Sequence, residues 1–212
     1  MNYSQILEHL FVGSHPGTLS DIEMLKDHCG ITAVLNLQAD EDLEARGLNW
    51  SALEASYRSH TIMTLRIQMR DFDYDDQRRV LPQAVKALAS LLALGHTVYL
   101  HCNVGLGRSP LVAMAYLYWC RCLSLEEAIG HVEKRRPCSP MTELLELARQ
   151  DLLQNEKLRK RIALRAYKLS RQRQNQPADP FRDWVDGERE ILKEVFCQDY
   201  GNVDKGQHVV AV

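Results

Sequence analysis

Residues 97–110 read TVYLHCNVGLGRSP, and they organise the interpretation of the chain on either side. The first four, Thr97 to Leu100, are rich in β-formers and predict a central strand. A loop with two glycines follows, and Pro110 opens an apolar segment to Trp119 that is typical of a helix. A strand joined to a helix by a short loop is the unit from which parallel sheets are built.

Similar segments alternate along the chain on both sides of this unit. Further strands are predicted at Leu10–Val12, Ile31–Leu37 and Thr61–Ile67. The predicted helices are one from the capping pair Ser20 and Glu23 to a stop at Gly30, then Ser51–Arg58, Val80–Leu94, one capped by Ser124 and Glu127, and Thr142–Asn155. Strands alternating with helices predict an α/β fold, a parallel-type sheet with helical cover.

Composition narrows the class of protein. The 212 residues carry a formal net charge of −2 and are 45% apolar, which argues against a general nucleic-acid or membrane-surface binder. No run approaches the ~20 apolar residues of a membrane span, and the first residues, MNYSQILEHLFVGSHPG, lack the basic start, apolar stretch and cleavage site of a secretion signal. We therefore expect a cytoplasmic protein with no nucleic-acid partner and no membrane partner.

Six cysteines are spread along the chain, at positions 29, 102, 120, 122, 138 and 197. None forms a C-x-x-C pair, and none is spaced with histidines as a zinc site requires, so no metal site is expected. Five are interpreted as reduced thiols of a cytosolic fold. Cys102 differs, because it follows a predicted strand directly and Arg108 follows it six residues later.

The loop after the central strand has the features of a phosphate cradle. The backbone N–H groups of Asn103, Val104, Gly105, Leu106, Gly107 and Arg108 are predicted to face a bound phosphate, with both glycines permitting the required dihedrals. The following helix adds its positive N-terminal end. That field, together with Arg108, favours the Cys102 thiolate, a nucleophile towards phosphorus. Ser109 is expected to hydrogen-bond the sulfur, and His101 to support the loop structurally.

A leaving oxygen needs a proton, so a general acid is expected on a separate loop. The acidic segment Arg70–Asp76, predicted to be an exposed loop, offers four carboxylates: Asp71, Asp73, Asp75 and Asp76. Spacing alone does not choose among them.

The run His101–Ser109 resembles the signature loop of the dual-specificity branch of the protein tyrosine phosphatase family, and the similarity extends over roughly residues 8–153. The resemblance implies a five-stranded, mostly parallel sheet with helices on both sides. It also implies a phospho-cysteine intermediate, with no metal and no cofactor. The family's general acid lies just over thirty residues before the cysteine, which favours Asp71, 31 residues before Cys102.

Within that branch the chain is most similar to the glucan phosphatases, the group of laforin and the plant starch-excess enzymes. The similarity lies in Arg70–Asp73, in Leu81–Val85 with Gly95–Tyr99, in Gly107 and in Val34–Gln38. The resemblance implies phosphorylated glucan as substrate. Phosphoprotein is the alternative substrate, and a catalytically inactive module that binds a phospho-ligand is a remote alternative.

Some positions depart from the glucan phosphatases. Alanine is usual in them where this chain has Val104, and often in the plant enzymes where it has Ser109. This chain has Ser139 at the position where the glucan phosphatases have an aromatic residue that contacts glucan. Phe72 is a candidate substrate-binding residue, either stacking on a sugar ring or lying under the loop to hold Asp71.

The composition changes after Asn155. A basic helix to Arg173, a turn over Gln174–Pro180 and an acidic amphipathic helix over Phe181–Phe196 predict a helical hairpin. We therefore divide the chain into a catalytic domain (1–155), a hairpin (156–197) and a flexible tail (198–212). The hairpin is similar to a short bacterial helical domain of unknown function, and it is expected to contact the catalytic domain or an unidentified protein.

Overall fold

The chain folds around one five-stranded sheet. The structure, a computed structural model, describes residues 1–172 and 179–197. The strands are β1 (Tyr3–Leu7), β2 (Leu10–Gly13), β3 (Ala33–Asn36), β4 (Met63–Arg66) and β5 (Val98–His101). Their spatial order is β1-β2-β5-β3-β4, with β1 antiparallel to β2 and every other pair parallel. The predicted α/β fold with a five-stranded, mostly parallel sheet is confirmed, and β5 is its central strand.

The helices cover both faces of this sheet. They are α1 (Leu19–Asp27), α2 (Asp40–Glu44), α3 (Trp50–Ser59), α4 (Tyr74–Ala93), α5 (Arg108–Cys120), α6 (Leu125–Glu133), α7 (Glu143–Leu153), α8 (Glu156–Gln172) and α9 (Pro180–Cys197). Successive β5 residues point to opposite faces: Leu100 joins the core shared with α4 and α5, and Tyr99 the core shared with α1 and α3.

The strand register places the candidate site. His101, the last residue of β5, lies beside Gly13 at the end of β2 and beside Asn36 at the end of β3. The loops that leave these three parallel strands therefore meet at one edge of the sheet. Open α/β sheets bind ligands at this carboxyl edge, and the glycine-bearing loop starts there.

One prediction near the N-terminus is wrong, and one strand there was missed. The capping box of α1 consists of Thr18 and Asp21 rather than Ser20 and Glu23, with Asp21 N–H donating to Thr18 Oγ1 at 3.2 Å. Both pairs fit the same spacing rule, so the rule could not separate them. Strand β1 was not predicted, because it is an edge strand with a register shift and only one buried side chain, Ile6.

The acidic segment Arg70–Asp76 is only partly a loop. Helix α4 begins at Tyr74, and the Asp73 carboxylate accepts the N–H of Asp76 at 2.9 Å as the N-cap. Asp75 and Asp76 therefore lie in the first helical turn, where the positive end of the helix dipole favours carboxylates. The prediction of a loop through Asp76 is wrong for this reason.

Helices α8 and α9 pack on each other and on the rest of the chain. Arg161 pairs with Glu194 at 3.2 Å between them, and the Trp119 and Phe196 rings stack with centroids 5.6 Å apart where α9 meets α5. Phe196 belongs to the same buried cluster as β5 and α4. The domain boundary at 155 stays a prediction. Most of the predicted turn over 174–180 and all of the predicted tail over 198–212 lie outside the described residues.

Within residues 1–172 and 179–197, no helix combines the length and the apolar character needed to cross a membrane. The cytoplasmic location and the absence of a nucleic-acid partner rest on the sequence alone and stay predictions.

Candidate active site

The loop between β5 and α5 has its carbonyl groups fixed by the surrounding chain. The carbonyl of every residue from 102 to 107 accepts a hydrogen bond. In chain order, the donors are His101 Nδ1, His15 N–H, Arg136 Nη2, Arg136 Nε, Ser139 N–H and Leu111 N–H. No acceptor among the described residues bonds the backbone N–H groups of residues 103–108. Since the N–H and C=O of one peptide unit point in opposite directions, these six N–H groups are available to an anion.

The two loop glycines differ in what they require. Gly105 has φ +74°, and a Cβ there would lie 2.5 Å from both the carbonyl carbon and the oxygen of Gly13. Only glycine fits such a left-handed, crowded position. Gly107 has φ −109°, and no atom lies within 4 Å of where its Cβ would stand. The conformational freedom expected of the loop glycines is therefore required at Gly105, whereas φ and the open space at Gly107 show no such requirement.

Cys102 lies at the floor of this loop, with 2% of its surface exposed. Its Sγ is 3.4 Å from Ser109 Oγ in the first turn of α5. The preceding residue, His101, is buried and donates from Nδ1 to the Cys102 carbonyl at 3.1 Å. Burial lowers the pKa of His101 to about 4, so the ring is neutral at pH 7. This geometry fits the interpretation of His101 as a support of the loop.

Arg108 is 1% exposed and is held by two carboxylates. Its Nη1 donates to Asp42 Oδ2 at 2.6 Å and to the Met69 carbonyl at 2.7 Å, and its Nη2 donates to Asp71 Oδ2 at 2.8 Å. Burial alone would lower the pKa of Arg108, but the hydrogen bond to Asp42 and the charges of Cys102, Asp42 and Asp71 raise it overall. Its Nε is buried and has no partner among the described residues, so the Nε–Nη2 edge can receive an oxyanion.

Asp42 was not singled out from the sequence. Its carboxylate also accepts Asn103 Nδ2 at 2.5 Å and Ala39 N–H at 2.8 Å, so it joins Arg108 to the phosphate loop. Burial would raise the pKa of Asp42, but these hydrogen bonds, first the one from Arg108, lower it overall. In the sequence Asp42 stands among other acidic residues, and its spacing does not separate it from them.

Arg136 was also missed. It is buried, and its Nε donates to the Gly105 carbonyl at 2.6 Å while its Nη2 donates to Asn2 Oδ1 at 2.7 Å. These bonds tie the phosphate loop to the N-terminal edge of the sheet. Lys134, Arg135 and Arg136 form a short basic run, a pattern that usually indicates a solvated surface, so no local signal marked the last of them.

The four acidic candidates have different partners. Asp71 alone contacts Arg108, whereas Asp73 caps α4 and Asp76 binds Arg70 N–H at 2.9 Å. Asp75 lies in the first turn of α4 and lines a cleft between α4, α7 and α8. The structure thus brings one of the four candidates to the phosphate loop, and it is the one that the resemblance favoured.

Phe72 projects into solvent beside Asp71. Its side chain is 83% exposed, and its φ of +58° is rare for a bulky residue. The interpretation that places the ring beneath the loop is therefore wrong. Ser139 is exposed beside the phosphate loop, where its N–H donates to the Leu106 carbonyl at 2.9 Å.

The family described as "Dual specificity phosphatase, catalytic domain" matches residues 10–151. Among curated proteins, "Phosphoglucan phosphatase DSP4, amyloplastic" of Castanea sativa is 33% identical over 170 residues, 79% of this chain and 44% of that protein. "Laforin" of Mus musculus is 32% identical over 165 residues, 73% of this chain and 50% of that protein. The chain thus spans half or less of the length of these two relatives.

A solved structure supports the fold. "Crystal structure of Tk-PTP in the active form" superposes with a TM-score of 0.54 at 23% identity, covering 72% of this chain and 97% of that one.

Proposed function

Because the chain belongs to the dual-specificity phosphatase family, we propose that it hydrolyses phosphate monoesters of a phosphorylated glucan through a phospho-cysteine at Cys102. One observation carries the proposal. The unbonded N–H groups of residues 103–108 and the unpaired Nε of Arg108 surround a single thiol at the carboxyl edge of the sheet. A phosphoryl group supplies the acceptors that all of these donors lack.

Binding begins with an exchange at Arg108. Two phosphoryl oxygens take the Nε and Nη2 positions, while Asp42 and the Met69 carbonyl keep Nη1 in place. The phosphate therefore replaces Asp71 at Nη2, and the released Asp71 carboxylate takes up a proton from solvent and turns towards the leaving oxygen. Asp42 remains as the group that fixes the guanidinium plane.

Catalysis then proceeds in two displacements. The Cys102 thiolate forms the S–P bond as the P–O bond to the substrate breaks, and Asp71 gives its proton to the departing oxygen. Ionised Asp71 next takes a proton from a water whose oxygen attacks phosphorus. The S–P bond breaks, inorganic phosphate leaves, and Ser109, 3.4 Å from the sulfur, donates to the thiolate that returns.

Two features favour glucan over phosphoprotein. One relative is named a phosphoglucan phosphatase, and its alignment with this chain covers 170 residues, more than the family match to residues 10–151. The exposed ring of Phe72, next to Asp71, presents a face that can stack on a sugar. Ser139 supplies no second aromatic surface. An inactive binding module is disfavoured because Cys102, Arg108 and Asp71 are all present and lie together.

The test compares initial rates of phosphate release from phosphorylated amylopectin, a phosphotyrosine peptide and p-nitrophenyl phosphate, with Cys102→Ser as the blank. We expect release from all three, with kcat/KM for amylopectin exceeding that for the peptide. A higher value for the peptide would move the substrate to phosphoprotein and leave the chemistry intact. No release from any substrate would support the inactive binding module.

A further inference from the structure

Two helices end side by side at a cleft far from the phosphate loop. Cys120 is the last residue of α5 and Cys197 the last of α9. Their preceding residues, Trp119 and Phe196, stack with ring centroids 5.6 Å apart and an interplanar angle of 27°. Both cysteines line one cleft of about 810 Å³. Since α5 begins with Arg108 and rises ~1.5 Å per residue, this cleft lies about 18 Å along the helix from the active-site arginine.

The two thiols differ in environment, although the helix ends that carry them border the same cleft. Cys120 is 1% exposed, whereas Cys197 is half-buried at the cleft surface. The cleft is also lined by Arg121 and Lys193, whose positive charges face Cys197. One thiol is thus partly exposed and near cations, and the other is buried beside the same cleft. This is the arrangement of an attacking thiol with a resolving partner.

We propose that Cys197 and Cys120 form a redox-modification site that closes a reversible disulfide between α9 and α5 on exposure to a peroxide. The Cys197 thiolate attacks one peroxide oxygen, the O–O bond breaks, and the products are Cys197 sulfenic acid and, after protonation, water. The Cys120 sulfur then attacks the Cys197 sulfur, its proton joins the departing hydroxide, and a second water leaves. The two sulfurs lose two electrons and the peroxide gains them.

Electrostatics supports this order of attack. The neighbouring Cys120 thiol and the charges of Lys193 and Arg121 lower the pKa of Cys197, despite partial burial. The neighbouring Cys197 thiol and burial raise the pKa of Cys120. Cys197 therefore ionises more readily than Cys120, and it is the thiol that attacks first.

In the part of the chain that the structure describes, four other groups that can ionise line the cleft, and one of them is a third thiol. Glu8, His9 and Tyr116 also line it, and Cys122 is exposed at its edge. Cys122 is the competing partner, because it could resolve Cys197 in place of Cys120.

The disulfide would lock the C-terminal helix pair onto the phosphatase body. It would close a loop of about 77 residues (197 − 120) between the end of α5 and the end of α9. Closing such a loop raises the melting temperature by about 9–18 °C for a chain of this size. The site is independent of the proposed phosphatase chemistry, because Cys102 takes no part in it.

The experiment uses the full chain with Cys102→Ser, which removes the catalytic thiol. The protein is treated with one equivalent of hydrogen peroxide, and non-reducing peptide mapping identifies the linked cysteines. We expect a Cys120–Cys197 linkage that dithiothreitol reverses, and a melting temperature about 9–18 °C higher in the oxidised form. Adding Cys122→Ser should leave both results unchanged. Adding Cys120→Ser to the protein that also carries Cys122→Ser should leave Cys197 as a sulfenic acid that a dione probe labels.

The mapping needs no variant at Cys120, so a folding defect there would not obscure the result. A Cys122–Cys197 linkage, or Cys197 remaining reduced while Cys122 is oxidised, would overturn the proposal.

Discussion

Gly105→Ala should destabilise the protein far more than the same substitution at Gly107. The alanine keeps φ near +74°, which costs about 1–2 kcal/mol for an L-residue. Its Cβ also meets the Gly13 backbone at 2.5 Å and the Arg136 guanidinium, so the loop must move. Displacing Arg136 weakens its bond to the Gly105 carbonyl, a charge-assisted interaction of about 1.5–3 kcal/mol. The expected loss of unfolding free energy is therefore about 3–5 kcal/mol.

The matched control is Gly107→Ala, where the new Cβ has open space and φ is negative. Thermal unfolding should show a fall in melting temperature of about 10 °C for Gly105→Ala and less than about 3 °C for Gly107→Ala. Because a displacement of about 1 Å can cost 10²-fold in rate, kcat/KM of Gly105→Ala on p-nitrophenyl phosphate should fall by about that factor. Equal melting temperatures of the two variants would refute the steric argument, and so would an unchanged kcat/KM in Gly105→Ala.

Three further predictions concern residues around Arg108. Asp71→Asn should slow release from phosphoglucan far more than from p-nitrophenyl phosphate, whose leaving group needs no proton; a larger leaving-group-dependent loss in Asp73→Asn would reassign the acid. Phe72→Ala should lower kcat/KM on phosphoglucan about tenfold and spare p-nitrophenyl phosphate, since a stacking contact contributes about 0.5–1.5 kcal/mol; equal rates on phosphoglucan would remove the stacking role. The pKa of Asp42 is lower in the folded protein than in the unfolded chain, where it is about 3.9. The carboxylate therefore stabilises the fold fully above about pH 3.9, and this stabilisation is lost as the pH falls through the folded pKa. Urea unfolding of Asp42→Asn should therefore show lower stability at pH 7 and a shallower decline below about pH 4, and parallel pH profiles would contradict this.

The sequence predicted those site residues that neighbouring residues in the chain mark as functional. Cys102 and Arg108 share one loop, and a strand and a helix flank it, so short-range patterns were enough to find them. Asp71 needed the family resemblance, because four carboxylates in seven residues are equivalent by spacing. Its contact with Arg108, 37 residues away, appears only in the folded chain.

The two missed residues show where local patterns end. Asp42 reaches Arg108 across 66 residues, and Arg136 reaches Gly105 across 31. Each lies in a run of like charges that resembles a solvated surface. Burial distinguishes them from their neighbours, and burial depends on the packing of the whole sheet edge. The same limit applies to Phe72: the sequence predicted an exposed loop there, but it left open whether the ring projects from that loop or lies beneath it.

The most direct test of the account is the chemical identity of the intermediate. Acid quenching during turnover on phosphoglucan, followed by mass spectrometry of the peptide that contains Cys102, should find one phosphoryl group on that cysteine. The Cys102→Ser protein should release no phosphate while still binding it, since the donors of residues 103–108 and Arg108 remain. Sustained phosphate release by Cys102→Ser, or turnover by the unmodified protein with no phosphorylated Cys102 at any quench time, would contradict the proposed mechanism.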